Sequence, residues 1–395
     1  MLKGKTVVLG VTGSIAAYKI ANLASALKKL GANVHVIMTK NATNFINPIT
    51  FETLTNNRCL VDTFDRDFEF NVEHVSLAEK ADVFMVAPCT ANVIGKIAGG
   101  IADDMLTTTI MACKCKKIIA PAMNTNMFEN PIVQDNIEKL KKYDYEIIDP
   151  ATGYLACGDT GKGKMPEPEE LLEYILKEVA CDKDLEGKNV LVTAGPTKEA
   201  IDPVRFISNH STGTMGYEIA KNAMRRGANV TLVTGPTSIE KPRFVNVVEV
   251  MSADEMYDSV DKCFDEQDIV IMSAAVADYK PKTKADEKIK KSEKDITIEL
   301  VENKDILFEM SKRKSSQFLV GFAMETENML ENAKEKMDKK KLDMICANNL
   351  NVEGAGFGTG TNVITLITKD GAEELDKASK DIVSSQILDK VVESL

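Results

Sequence analysis

Two side chains in the first half of the chain could take part in proton transfer, one thiol and one imidazole. Cys157 lies in a polar, glycine-rich segment, residues 153–164, whose composition is typical of a loop over a site and not of a packed core. A thiol there has no packing role, so we interpret Cys157 as functional. His74 stands at the predicted start of a helix, where a structural role fits it as well as a catalytic one.

The second half carries a long polar loop, residues 194–216, between a strand pattern and a helix pattern. Loops of this length inside a compact domain are usually functional. Residues 208–213 come directly before the helix and supply capping side chains and free backbone N–H groups, which suit a phosphate. The alternative is an elaborate capping loop that binds no ligand.

Charged residues follow this loop. Six lysines fall between residues 280 and 291, in a chain whose formal net charge is −11. Most such lysines are solvated, but one or two of them could neutralise a polyphosphate. Asp278 is predicted to end an apolar strand, where its carboxylate could hold Mg²⁺ or a ribose. Lys336 and Lys340 are four residues apart and therefore lie on one face of a helix.

The elements that must position these residues form an internal repeat. Each half contains a strand, a turn, a helix ended by glycine, a second strand and two further apolar strands. Continuous apolar runs indicate parallel strands covered on both faces. The corresponding strands are 6–11 with 190–193, 34–38 with 227–234, 82–87 with 268–273 and 117–122 with 318–323, and the helices are about 15–30 and 215–226. The sequence therefore predicts an α/β fold of two doubly wound, Rossmann-like parallel-sheet domains in tandem, residues 1–180 and 187–395.

Ligands of such folds bind beyond the carboxyl ends of the strands. One glycine turn could be a mere connector, but four loops of small polar residues at strand ends favour a ligand site: 13–14, 39–42, 87–92 and 121–124. Neither half has the GxGxxG pattern, and Thr39 and Thr234 stand where NAD-binding proteins carry an acidic residue. A phosphate-bearing ligand such as FMN or a nucleoside triphosphate fits better than NAD.

Composition excludes several other classes of protein. Hydrophobic residues make up 44% and charged residues 28% of the 395, as in soluble globular proteins. The acidic balance argues against nucleic-acid binding, and the chain has no apolar run long enough for a membrane span. The eight cysteines form no CxxC pair, so we expect reduced thiols and no zinc site. The first residues resemble no signal peptide, and we expect a cytoplasmic protein.

The first half resembles the homo-oligomeric flavin-containing cysteine decarboxylases, and among them the phosphopantothenoylcysteine decarboxylases. The segments that carry this resemblance are 13–19, His74, 87–92, 121–124 and 156–158. It implies that FMN oxidises the substrate's cysteine side chain to a thioaldehyde, that the carboxylate is then lost, and that reduced flavin returns hydride. Cys157 would deliver the proton, and His74 would orient the substrate or accept a proton. The implied FMN contacts are Gly13, Ser14, Ile15, Thr39, Ala87, Pro88, Thr90 and Asn92, and the implied substrate contacts are Met123 and Asn124.

The second half resembles the phosphopantothenate–cysteine ligases, through the Ala-Ala-Val-Ala-Asp sequence 274–278, the lysines of 288–291 and Asn209 in its context. The resemblance implies that CTP activates the phosphopantothenate carboxylate as an acyl-cytidylate, which the cysteine amine attacks. Asn209 would bind the acyl-cytidylate, with Ser211 and Gly213 as further substrate contacts, and Lys288 would stabilise charge. The implied CTP contacts are Ser273, Ala274, Asp278, Lys288, Asn303, Lys304, Asp305, Ile306, Phe322, Lys336 and Lys340, with Asp278 also holding Mg²⁺.

Together the two resemblances imply a bifunctional enzyme of coenzyme A synthesis whose partners are small molecules, with trimeric flavin domains and dimeric ligase domains. Two alternatives remain from the sequence. One is a tandem NAD(P)-dependent oxidoreductase, and the other is a flavin- or nucleotide-binding module without catalytic activity.

Overall fold

The computed structural model describes residues 1–64, 73–154, 160–291, 296–325, 329–349 and 360–395. The chain divides into two compact units, Met1–Cys181 and Asp182–Leu395. The division falls in a charged stretch whose polar side chains favour a connection between cores. None of the helices in the described ranges has the length and apolar character to cross a bilayer.

The first unit is built on five parallel strands in the order β2-β1-β3-β4-β5, with a separate antiparallel hairpin β6-β7. The strands are β1 Thr6–Val11, β2 Asn33–Met38, β3 Val83–Cys89, β4 Lys116–Pro121, β5 Tyr145–Ile147, β6 Ala151–Tyr154 and β7 Thr160–Lys164. The helices are α1 Ile20–Lys29, α2 Pro48–Thr55, α3 Glu73–Lys80, α4 Ala91–Gly99, α5 Met105–Ala112, α6 Thr125–Phe128, α7 Pro131–Lys142 and α8 Pro168–Val179.

The second unit repeats this plan and extends it. Six strands run parallel in the order β12-β11-β8-β13-β16-β17, and β19 and β20 continue the sheet in antiparallel fashion. The strands are β8 Asn189–Ala194, β9 Lys198–Ala200, β10 Phe206–Ser208, β11 Asn229–Thr234, β12 Asn246–Glu249, β13 Ile269–Met272, β14 Tyr279–Pro281, β15 Leu300–Glu302, β16 Phe318–Glu325, β17 Met344–Asn349, β18 Thr361–Asn362, β19 Ile364–Thr368, β20 Gly371–Glu374 and β21 Ala378–Ser379. The helices are α9 Thr214–Arg225, α10 Ala253–Cys263, α11 Ile306–Arg313, α12 Met329–Lys339 and α13 Lys380–Glu393.

The prediction of two doubly wound parallel sheets is confirmed. All six residues of β1 and all seven of β3 are buried, because helices cover both faces of the sheet. The repeat also extends to hydrogen bonds at the strand starts. The Thr6 N–H donates to the Asp82 carboxylate over 2.6 Å, and the Asn189 N–H donates to the Asp268 carboxylate over 2.8 Å. Equivalent aspartates therefore fix the register of equivalent strand pairs.

Two local expectations differ from the structure. The predicted helix from residue 15 begins as a 3₁₀ turn, Ile15–Lys19, and becomes α-helical only at Ile20. Asp278 does not end an apolar strand, since β13 stops at Met272. The residues after β13 turn toward the loop 194–216, where Thr197 Oγ1 accepts a hydrogen bond from the Ala277 N–H over 3.0 Å.

Candidate functional site

A crevice of about 510 Å³ opens at the carboxyl edge of the first sheet, which is a suitable size for a small-molecule ligand. Gly13 follows β1, Thr39 follows β2 and Thr90 follows β3, so three adjacent strands deliver its polar rim. We call this space the first crevice. Its lining residues are Gly13, Thr39, Lys40, Asn41, Thr90, Asn92, Val93, Lys96, Asp104 and Met127.

Close packing of the backbone shapes the first crevice. A Cβ at Gly13 would lie 2.7 Å from the Cβ of Asn41, so only glycine fits there. The buried Thr12 hydroxyl donates to the Pro88 carbonyl over 2.7 Å and accepts from the Thr90 N–H over 3.1 Å. That hydroxyl ties the loop after β1 to the loop after β3, and it holds Thr90 at the rim.

Two lysines line the first crevice, one exposed and one paired with carboxylates. Lys40 is exposed, and Lys96 contacts Asp103 over 2.7 Å and Asp104 over 3.4 Å. The hydrogen bond with Asp103 raises the pKa of Lys96, so its ammonium stays charged at physiological pH. Amide and hydroxyl groups surround these charges, and this mixture suits a ligand with one phosphate and several ring heteroatoms.

Four of the eight residues expected to contact FMN line the first crevice, and four do not. Ser14 caps the 3₁₀ turn, with its hydroxyl accepting from the Ala16 N–H over 3.3 Å, and Ile15 is exposed. Ala87 and Pro88 are buried behind the rim as part of β3. The residues that line the crevice as expected are Gly13, Thr39, Thr90 and Asn92.

The other expected residues of the first domain occupy different positions. His74 is half-buried near the start of α3, and it is not among the residues that line the crevice. Cys157 lies outside the described residues, but the hairpin that flanks it is described. That hairpin packs against the loop after β4, where the Met123 N–H donates to the Gly163 carbonyl over 3.1 Å. Asn124 caps α6, so its position is fixed beside the hairpin.

The second sheet carries two adjoining pockets at its carboxyl edge, which share Ala274, Ala275 and Phe322. The larger, of about 500 Å³, we call the lysine pocket. It brings together nine of the eleven residues expected to contact CTP: Ala274, Asp278, Asn303, Lys304, Asp305, Ile306, Phe322, Lys336 and Lys340. The smaller, of about 170 Å³, we call the α9 pocket, and it contains Ser211, Gly213 and Ser273.

An ion pair organises the lysine pocket. Lys340 contacts the Asp305 carboxylate over 2.6 Å, and the Phe308 N–H donates to the same carboxylate at the start of α11. Burial alone would raise the pKa of Asp305, but these two hydrogen bonds lower it below its ordinary value. Asp305 therefore stays ionised and holds Lys340 at the wall of the pocket, next to Lys336.

Both pockets contain buried polar atoms that the described residues leave without a hydrogen-bond partner. These atoms are Ser273 Oγ and Asn348 Oδ1 in the α9 pocket and Asn303 Oδ1 in the lysine pocket. A buried polar atom without a partner costs about 1–3 kcal/mol, so such atoms are uncommon in folded proteins. These three atoms lie at one sheet edge, where a polar ligand would supply their missing hydrogen bonds.

Close packing also fixes the α9 pocket. A Cβ at Gly216 would lie 2.6 Å from the Ala194 Cβ and 2.9 Å from the Thr193 carbonyl oxygen. Gly213 caps α9 with a left-handed backbone, φ +82°, and no side chain caps the first N–H groups of this helix. These N–H groups therefore face the pocket as donors for an anion.

Two expected catalytic residues of the second domain lie outside these pockets. The Asn209 amide donates to the Ala275 carbonyl over 2.9 Å, so it borders both pockets without lining them. Lys288 is exposed on a segment fastened at Ile289, whose N–H donates to Asp202 over 3.2 Å. The structure does not bring Lys288 to the pockets.

Sequence reasoning missed three polar residues of the α9 pocket, Asn348, Asn362 and Lys380. Asn348 could have been found, since it lies near the carboxyl end of the apolar strand β17. Asn362 and Lys380 follow no such pattern. No group of three or more histidine, cysteine or carboxylate side chains that could hold a metal occurs in the part of the chain that the structure covers.

Comparisons with known proteins agree with the division into two units. Residues 1–180 match the family model described as Flavoprotein, and residues 185–395 match the model of the DNA/pantothenate metabolism flavoprotein C-terminal domain. A solved structure of the C-terminal domain of the Coenzyme A biosynthesis bifunctional protein CoaBC is 40% identical and covers 54% of this chain and 97% of its own, with a TM-score of 0.47.

Curated relatives match over nearly the whole chain. The CoaBC protein of Bacillus subtilis (strain 168) is 47% identical over 395 residues, which cover 99% of this chain and 97% of that protein. The CoaBC protein of Vibrio vulnificus (strain CMCP6) is 44% identical over 393 residues, which cover 99% and 98%. The chain therefore belongs to the family of the coenzyme A biosynthesis bifunctional proteins CoaBC.

Proposed function

We propose that this chain catalyses two consecutive steps of coenzyme A biosynthesis. The second unit, residues 187–395, couples 4′-phosphopantothenate to L-cysteine with CTP. The first unit, residues 1–180, decarboxylates the product, 4′-phosphopantothenoylcysteine, to 4′-phosphopantetheine. One observation carries this proposal: each unit has its own crevice at the carboxyl edge of its sheet, in a chain related to bifunctional proteins over 99% of its length.

The first crevice fits FMN. Its volume of about 510 Å³ suits a small molecule, Gly13 leaves room that a Cβ would fill, and the exposed Lys40 supplies positive charge for a phosphate. When bound, FMN would accept hydride from the substrate and return it. Thr39, Thr90 and Asn92 would bind and orient the ring, with Ser14, Ile15, Ala87 and Pro88 shaping the loops around it.

The side chains that act on the substrate of the decarboxylase would come from the β4 loop and the hairpin. Met123 and Asn124 would hold the substrate's amide or carboxylate, since Asn124 is fixed as the cap of α6. Cys157 would donate the proton that the decarboxylated carbon needs, and His74 would orient the substrate or accept a proton. The described strands β6 and β7 form a hairpin that packs on Met123, which supports a substrate site formed by the hairpin and the β4 loop.

The ligase site would bind CTP across the lysine pocket. A carboxylate oxygen of phosphopantothenate attacks the α-phosphorus of CTP, and pyrophosphate leaves. The cysteine amine then attacks the acyl carbon, loses a proton and releases CMP. Lys336 and Lys340 would bind phosphates, and Asp278 would hold Mg²⁺ through one carboxylate together with phosphate oxygens, as is usual for this ion. Asn209 would bind the acyl-cytidylate from its position on the Ala275 carbonyl.

Lys288 requires a movement in this proposal. It would stabilise charge on the transferring groups only after its exposed segment approaches the pocket. We also propose trimeric flavin domains, dimeric ligase domains and a cytoplasmic location. The described cysteines are all free thiols, as a reducing compartment would keep them.

A coupled assay tests the two activities together. Purified protein is supplied with CTP, Mg²⁺, cysteine and phosphopantothenate, and phosphopantetheine, CO₂, CMP and pyrophosphate are measured. We expect equimolar products, loss of all products when any one substrate is omitted, and a yellow protein that absorbs near ~450 nm. A colourless protein, or one that releases no pyrophosphate with all three substrates present, would exclude this function and leave a module without catalytic activity.

A further inference from the structure

Lys380 is a buried lysine that none of the expected contacts includes. It is the first residue of the 14-residue helix α13, the residue is 7% exposed, and it lines the α9 pocket. No carboxylate of the described residues forms an ion pair with it, in contrast to Lys340 in the neighbouring pocket. A buried ammonium without a counterion is costly, so such a lysine is rarely only structural.

The surroundings of Lys380 are rich in hydrogen-bonding groups and poor in negative charge. Asn348 is 7% exposed with an unpartnered amide oxygen, and Asn362 is 5% exposed. An amide can present either its oxygen or its NH₂ group to the pocket, so Asn348 has unused capacity there. The uncapped N–H groups of α9 face the same space, and none of the residues that line it is acidic.

The topology explains how these groups meet. The short strands β18 and β21 pair in antiparallel fashion, with Asn362 opposite Ala378 and Thr361 opposite Ser379. Ser379 is the cap of α13, and the Lys380 N–H donates to the Gly360 carbonyl over 3.3 Å, so this pairing brings the start of α13 to the pocket that Asn362 also lines. The pocket volume of about 170 Å³ suits a compact group and not a whole nucleotide. Burial also lowers the pKa of Lys380, an effect that a bound anion would reverse.

We propose that Lys380 is a phosphoryl-binding residue of the ligase site, which places an anionic phosphoryl group between its ammonium, Asn348 and the N-terminus of α9. The proposal rests on the proposed ligase function. The phosphoryl group has two chemical sources, the triphosphate of CTP or the phosphate ester of phosphopantothenate, and the same variants distinguish them.

The test replaces Lys380 by methionine, which keeps the length of the side chain and removes its charge. We expect the KM of one phosphorylated substrate to rise about 10- to 100-fold, since hydrogen bonds to charged groups have that effect on affinity. Lys380→Arg, which keeps the positive charge, should raise that KM less than Lys380→Met does. Lys390→Met, near the other end of the same helix and outside the pocket, is the matched control and should change no KM by more than twofold.

Two further measurements identify the source. If the triphosphate is bound, Lys380→Met raises the KM of CTP and weakens the binding of pyrophosphate, measured by calorimetry on the full chain. If the phosphate ester is bound, the KM of phosphopantothenate rises, while pantothenate, which lacks the phosphate, is used equally poorly by both proteins. Unchanged KM values for both substrates would overturn the proposal.

A second variant guards against misfolding. Asn348→Asp is nearly isosteric and places a negative charge in the pocket. It should therefore raise the KM of the same substrate as Lys380→Met does. Decarboxylation of supplied phosphopantothenoylcysteine reports whether the rest of the chain is intact. The pyrophosphate titration needs no turnover, so it tests the role of Lys380 separately from the proposed ligase function. A wild-type chain that binds pyrophosphate through Lys380 but never ligates refutes the proposed function alone, and normal ligation with unaltered variants refutes the role of Lys380 alone.

Discussion

The two crevices occupy the same position on related folds, but their walls are completed in different ways. The first crevice is lined by the loops after β1, β2 and β3, by α4, by the cap of α5 and by α6, and its sheet ends at β5. The α9 pocket has walls from the loops after β8 and β13 and from β16, and also from Asn348, Asn362 and Lys380, the last two of which lie in the segment after β17.

This difference shows how an α/β fold acquires a second chemistry without changing its parallel core. Equivalent aspartates, Asp82 and Asp268, fix equivalent strands in both units, so the shared part of each site follows from the shared topology. The segment after β17 adds a buried cation, Lys380, to the second site. The first site has no corresponding buried lysine from a later segment among the described residues, and its proposed thiol belongs to the segment between β6 and β7.

The strongest test of this comparison is whether each site can be lost alone. We expect Cys157→Ser to keep FMN but to lower phosphopantetheine formation by about 10²- to 10⁴-fold, the usual contribution of a positioned proton donor. Ligation, followed by pyrophosphate release, should not change. Unaltered phosphopantetheine formation would refute the role of Cys157 as proton donor.

The reciprocal variant is Lys288→Gln. It should lower ligation by about 10²- to 10³-fold, as expected for a group that stabilises developing charge, and leave the decarboxylation of supplied phosphopantothenoylcysteine intact. Normal ligation would exclude Lys288 and would agree with its exposed position in the structure. Loss of both activities would indicate a misfolded protein and contradict the independence of the two sites.

A pair of glycines sharpens the comparison at the level of packing. A Cβ at Gly216 would lie 2.6 Å from the Ala194 Cβ, so Gly216→Ala should destabilise the second unit by about 1–3 kcal/mol and impair ligation. Gly95 in α4 is the matched control, because its nearest neighbour would be 3.8 Å away. Gly95→Ala should be neutral or stabilise the first unit by up to ~1 kcal/mol. Calorimetric unfolding of both variants measures the difference, and equal effects would contradict the packing argument.

The sequence predicted most of what the parallel core determines. Apolar runs predicted the strands, and the carboxyl-end rule then predicted Gly13, Thr39 and Thr90 at the first crevice, because in a parallel sheet these ends meet at one edge. The positions of Ser14 and Asp278 were harder to predict. Ser14 uses its hydroxyl as a cap, and the segment before Asp278 leaves the sheet because threonine hydroxyls bind it.

What could not be predicted comes from contacts between distant segments without periodicity. Asn362 and Lys380 are placed by the two-residue strands β18 and β21, which are too short to leave a pattern in the sequence. Asn303 and Lys340 were assigned to the second site only through the resemblance to the ligases. Physical reasoning from the residues alone predicted the location of the second site, but not the composition of its walls.

The smallest effect we predict concerns the hydroxyls that join neighbouring strand ends in both units. Thr12 is fully buried and hydrogen-bonds both Pro88 and Thr90, whereas Thr193 accepts one hydrogen bond, from the Ala274 N–H over 3.2 Å. Thr12→Val keeps the shape and leaves the Thr90 N–H without its partner, so it should cost about 1–3 kcal/mol of stability in the first unit.

Because Thr90 lies at the rim of the first crevice, Thr12→Val should also weaken the binding of FMN. The return of free-flavin fluorescence on dilution measures this loss of affinity. Thr193→Val is the matched control in the second unit: it removes a single hydrogen bond and should cost less, without effect on FMN. If the two valine variants lose equal stability and both retain flavin, the strand ends of the two units are held in the same way. The contrast between the crevices would then lie only in the residues that the segment after β17 contributes, Asn362 and Lys380.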